Sequence, residues 1–148
     1  MKKHTLFLFS SFVLTPMLYA ADPVKVEVTC NDQMQFSTKT LEATAGQPIA
    51  ITVKNIGKLP VEAMGHNMVI LKPGSEITAF AMKAMTAKDS AYIPADPEIA
   101  KMVVAHSKLL GPGEMDTITF TPTEAGTYPY LCSFPGHFGV MQGLLTVK

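Results

Sequence analysis

The chain has 148 residues, 47% of them hydrophobic, with 12 basic and 12 acidic side chains and a formal charge of zero. All the basic residues are lysines, and they are scattered along the chain. Without arginine or a positive cluster, nucleic-acid recognition is not expected.

Lys2 and Lys3 open the chain, Leu6 to Leu14 is a short apolar run, and Leu18-Tyr19-Ala20 precedes Ala21. This is the pattern of a secretory signal peptide, residues 1–20, cleaved after Ala20. The apolar run is well short of the ~20 residues a membrane-spanning helix needs, so an uncleaved anchor is the weaker reading and no membrane insertion is expected. Residues 21–148 then form one exported domain with 10 lysines against 12 acidic residues, a net charge of −2. In a bacterium with two membranes the destination is the periplasm.

Val24, Val26, Val28 and Cys30 alternate with Lys25, Glu27 and Thr29, as a strand with one buried face should. Further strands are expected at Met34 to Thr38, Pro48 to Asn55, His66 to Lys72, Met102 to His106, Asp116 to Thr121, Tyr128 to Cys132 and Gly143 to Val147. Turn-forming clusters such as Asn55-Ile56-Gly57, Gly111-Pro112-Gly113 and Glu124-Ala125-Gly126 separate them. Ser75 is the expected N-cap of one short external helix, about Glu76 to Ala87, in which Ile77, Phe80, Ala81, Ala84 and Met85 recur at helical spacing. Asp89 to Glu98 reads as irregular. The fold class is therefore all-β, a sandwich or Greek-key barrel of about eight strands.

Two cysteines in an exported chain suggest a Cys30–Cys132 disulfide. The alternation around Cys30 instead points its thiol into the core, and Cys132 lies among other soft donors. A lipid anchor at Cys30 is disfavoured by its lead-in, Val28-Thr29, and its distance from the apolar run.

Cys132, His137 and Met141 fall within ten residues, and a second loop reads Met64-Gly65-His66-Asn67. Read singly, each is ordinary: a lone histidine is more often a surface group, and a methionine among Val and Leu more often fills a core. Together they supply one thiolate, two imidazoles and one thioether, the donor set of a mononuclear blue-copper site with a weak axial thioether. Zinc prefers four strong donors, and a thioether is a poor fourth. A trigonal His2Cys plane suits both copper oxidation states, so little reorganisation opposes electron transfer. Pro135 and Gly136 help the loop curl, and Gly65 leaves room for its backbone carbonyl to approach opposite Met141.

These motifs, with Asn31-Asp32-Gln33-Met34-Gln35-Phe36, Leu59-Pro60, His106 to Gly111 and the 66-residue step from His66 to Cys132, resemble the azurins, among the cupredoxins or type 1 blue copper proteins. The resemblance covers all of 21–148. It implies an eight-stranded Greek-key cupredoxin barrel that holds one type 1 copper through His66, Cys132 and His137, with Met141 and the Gly65 carbonyl as distant axial contacts. It further implies that Asn67 ties the ligand loops together and that the Phe134 backbone N–H points towards the Cys132 sulfur. Leu59, Met64, Phe134, Pro135, Phe138 and Gly139 would form an apolar rim where His137 reaches solvent. The implied function is electron shuttling by a monomer, not catalysis, with transient partners: a c-type cytochrome or a periplasmic reductase or oxidase.

Several features depart from the family pattern, among them the loop residues Phe138, Gly139 and Val140, which are unusual there. The usual disulfide, which would fall near Val24 and Gly46, is missing; Met68 replaces a frequent tryptophan; and Asn55 replaces a frequent histidine. Two other functions remain. Eight methionines in 21–148 raise a periplasmic copper carrier or scavenger, although they are dispersed. A copper-oxidase or nitrite-reductase domain would need further histidines, and only His106, read as surface structure, is left over.

Overall fold

The computed structural model describes residues 21–148. The expected signal peptide lies outside the described residues. Two mixed sheets face one another across the core. The first orders its strands β2 (Gln35–Phe36), β1 (Val24–Asn31), β4 (Ile49–Asn55), β7 (Met115–Phe120). The second runs β3 (Thr40–Ala43), β9 (Gln142–Val147), β8 (Gly126–Leu131), β5 (Val69–Leu71), β6 (Val103–His106). Parallel pairing joins β1 to β4 and β3 to β9; the other pairs are antiparallel.

The alternation of β1 behaves as expected: Val28 and Cys30 are buried, with Ile51 and Val53 of β4 beside them. Both cysteines are free and buried, which removes the disulfide reading. The Cys30 thiol donates to the Lys54 carbonyl at 3.6 Å. Backbone bonds tie the segments near Val24 and Gly46: Val24 N–H donates to Pro48 O at 2.9 Å, and Gly46 N–H to Pro122 O at 2.8 Å.

Several boundaries correct the sequence expectations. The strand expected over 34–38 shrinks to β2, because the chain turns at Ser37 and Thr38 and enters the opposite sheet as β3, which adds a ninth strand. Thr40-Leu41-Glu42-Ala43 offers only one strongly apolar residue, so its pairing with β9 is a tertiary effect. The expected strand over 66–72 keeps only β5; His66 makes an isolated bridge to Leu110 instead.

The external helix is α2 (Ile77–Ala84), preceded by the short α1 (Val61–Met64). Its N-cap is Glu76 with no side-chain cap, not Ser75, whose N–H closes a turn onto Lys72 O. Phe80, Ala81 and Ala84 bury against Val69, Leu71 and Leu131, while Met85 stays exposed. The stretch expected to be irregular contains a 3-10 turn, Lys88–Ser90, and α3 (Pro97–Ala100). Asp96 caps α3 by accepting from Glu98 N–H at 3.0 Å, and Pro97 sits where no N–H is needed. Among the described residues no helix is long and apolar enough to cross a membrane.

Candidate metal centre

Cys132 directly follows β8 and Met141 directly precedes β9, so one loop joins two neighbouring strands of the same sheet. Its ends are paired: Cys132 N–H donates to Met141 O at 2.9 Å. Inside, His137 N–H donates to Phe134 O at 3.1 Å and Met141 N–H to His137 O at 2.9 Å, with Gly136 at φ +83° making the left-handed turn. This ladder turns His137 back over Cys132.

His66 arrives from the other side of the sequence. It is anchored by reciprocal backbone bonds with Leu110, N–H to O at 3.1 Å and O from N–H at 2.7 Å. Buried Asn55 braces the same point by donating to the Leu110 carbonyl at 3.2 Å while accepting Gly57 N–H at 2.8 Å. The donor atoms of His66, Cys132 and His137 all lie within 4.8 Å of one another. The Cys132 sulfur is 3.6 Å from His137 Nδ1 and 4.0 Å from His66 Nδ1. All three residues are buried, as is Met141. Gly65 is buried and extended, and a Cβ there would press on the Val61 carbonyl at 2.7 Å and the Leu109 side chain at 3.1 Å.

Burial sets the protonation states. It pushes the Cys132 thiol up to about 11, against the backbone N–H groups of Asn67 and Phe134, which favour the thiolate. His137 is lowered to about 4, by burial first and then by His66. Burial also lowers His66, against the Asn31 carbonyl and the Asp32 carboxylate. His66 Nε2 is buried without a hydrogen-bond partner. Two neutral imidazoles facing one thiol, shielded from water, are poor proton-transfer machinery and a good soft-metal pocket. The donor set therefore fits copper.

The Asn67 side chain meets Ser133, a residue that sequence reasoning missed, across the two loops. Asn67 Oδ1 accepts Ser133 N–H at 2.8 Å, and Asn67 Nδ2 donates to Ser133 Oγ at 2.8 Å. The Ser133 hydroxyl in turn donates to the Tyr92 carbonyl at 2.8 Å.

Of the expected rim, Leu59 and Gly139 are exposed, Met64 and Pro135 half-buried, and Phe134 buried against the His137 ring at 4.7 Å between centroids. Half-buried Phe138 packs on the cluster beneath α2, so much of its role is structural. Val140, next to Gly139 in the loop, is 56% exposed. His106 is exposed, with Nδ1 3.0 Å from the Ser107 carbonyl, and stands apart from the cluster.

A family model for copper binding proteins of the plastocyanin/azurin family matches residues 23–148. The chain belongs to this family. It is similar to an azurin of Alcaligenes faecalis, 38% identical over 126 residues, covering 81% of this chain and 94% of that one. It is also similar to an azurin of Pseudomonas fluorescens biotype A, 39% identical over 129 residues, covering 84% and 98%. Among solved structures, an auracyanin from Roseiflexus castenholzii superposes with a TM-score of 0.75 at 32% identity, covering 86% of this chain and 99% of that one. This cupredoxin is accordingly a blue-copper electron-transfer protein, and its cofactor is one type 1 copper.

Proposed function

We propose that this cupredoxin is an exported, periplasmic electron carrier and not an enzyme, with residues 1–20 serving as its signal peptide and 21–148 as its single domain. His66, Cys132 and His137 would hold the copper as its strong donors, and the Met141 thioether and the Gly65 carbonyl would be weaker, more distant contacts. When bound, copper supplies one-electron chemistry by cycling between Cu(I) and Cu(II). The chain fixes the donors through the paired ends of the 132–141 loop and the His66–Leu110 bridge, so little movement accompanies a change of charge. Asn67 and Phe134 tune the sulfur through their backbone amides.

The observation that carries this reading is the convergence of one thiol and two imidazoles, all buried, within 4.8 Å. The apolar rim of Leu59, Met64, Pro135, Phe138 and Gly139 suits a small, short-lived encounter of this monomer with a c-type cytochrome or a periplasmic reductase or oxidase. The decisive experiment adds Cu(II) to purified protein comprising residues 21–148. A strong blue thiolate-to-copper band, lost in Cys132→Ser, is expected; colourless protein in both would overturn the assignment.

A further inference from the structure

Two adjacent non-glycine residues between the 3-10 turn and α3, Ala91 and Tyr92, hold left-handed backbone angles, φ +54° and φ +63°. Such backbone angles are unfavourable for residues with a Cβ and persist only where their surroundings over-determine them. Both carbonyls of this corner accept bonds from residues adjoining the metal donors: Ala91 O from Asn67 Nδ2 at 3.3 Å, and Tyr92 O from the Ser133 hydroxyl at 2.8 Å. The corner is held from behind by Tyr92 N–H donating to Ala87 O at 2.8 Å. The nearly buried Tyr92 ring meets Phe134 edge-on, with centroids 5.1 Å apart and planes at 68°. Phe134 lies 4.7 Å from the His137 ring at 41°.

We propose that Tyr92 is a positioning residue: the strained Ala91–Tyr92 corner clamps the Ser133–Phe134 segment, and through the Phe134 ring it sets the orientation of the His137 imidazole. The stretch that carries α2 and the 3-10 turn thereby acts as a buttress for the metal loop. Main-chain acceptors aimed at Asn67 and Ser133 require this unusual turn, which gives the strain a function. An aromatic edge against Phe134 resists ring rotation better than a flexible side chain would.

The inference rests on the proposed ligand set. The test compares Tyr92→Leu, which stays apolar but loses the aromatic edge, with Tyr92→Phe, which keeps the edge and loses only the hydroxyl. Copper-loaded Tyr92→Leu should show an altered Cu(II) electron-spin spectrum, a shifted reduction potential and electron self-exchange at least threefold slower. Tyr92→Phe should match the parent in all three. If Tyr92→Leu does not fold, Tyr92→Met carries the same expectations with an unbranched side chain. A folded Leu or Met variant with parent spectrum, potential and exchange rate would overturn the proposal, as would a Phe variant as perturbed as the aliphatic one. Loss of folding in both aliphatic variants would also overturn it, since the ring would then support the fold and not the ligand orientation. Failure of the parent protein to turn blue would instead remove the ligand assignment, so the two failures are distinguishable.

Discussion

Asn67 and Ser133 each follow a proposed metal ligand, and they meet amide to backbone and amide to hydroxyl, both at 2.8 Å. The two positions are 66 residues apart, yet this contact fixes the distance between the His66 and Cys132 loops.

Asn67→Leu should therefore loosen the site before any metal enters. It leaves the buried Ser133 N–H without its acceptor, a loss of about 1–3 kcal/mol. Urea unfolding of the metal-free protein is expected to show that decrease, together with faster copper loss from the loaded variant. Unchanged stability would mean that the two loops are held elsewhere.

Copper uptake should release protons. With the Cys132 thiol raised to about 11 and His137 lowered to about 4, the metal-free site at pH 7 carries a protonated sulfur and a neutral His137 imidazole. Thiolate coordination then frees about one proton per chain. Calorimetry of Cu(II) binding in buffers of different ionisation enthalpy measures the number directly.

Stability of the metal-free protein should fall in acid. His137 has a folded pKa of about 4, below the unfolded histidine value of about 6.5. Above the unfolded value neither state takes the proton. As pH drops from about 6.5 towards 4 the unfolded chain binds it and the folded chain does not, so folding weakens across that window. His66, also lowered by burial, acts in the same direction. Denaturant midpoints at pH 7 and pH 5 test the sign, which a His137→Gln variant should reduce.

Gly143→Ala should destabilise the second sheet. A Cβ there would collide with the Tyr130 ring and hydroxyl and with the Lys39 carbonyl, and the Tyr130 hydroxyl is itself committed to Thr38 O at 2.8 Å. Overpacking of this kind costs about 1–3 kcal/mol. The midpoint of urea unfolding should drop, with the copper spectrum little changed.

The rim can be tested without touching the donors. Gly139 is exposed, and nothing lies within 4 Å of an added Cβ, so Gly139→Glu fits the fold. A charge there is expected to slow exchange with redox partners by roughly tenfold while leaving the blue band intact. Met64→Lys should behave alike. Parent exchange rates in both would remove this face from partner contact.

Much of the protein was legible because its information is local. Cys132, His137 and Met141 share one short loop, so their spacing alone limits how they can arrange themselves, and the alternation of β1 or β4 follows from the two-residue period of a strand. Tertiary structure decided everything that depends on distant partners. Thr40–Ala43 becomes a strand only because β9 offers an edge, and Ser133 becomes a clasp only because Asn67 is brought to it. Ala91 and Tyr92 carry no glycine or asparagine signal, so only the contacts that compensate their strain show where the chain turns.

Sequence alone determined which atoms are available to hold a metal, since donor chemistry belongs to residue type. The folded chain decided whether those atoms meet. The separation of 66 residues is closed by the antiparallel pairing of β5 with β8, Val69 opposite Leu131, and no local preference encodes that long-range register.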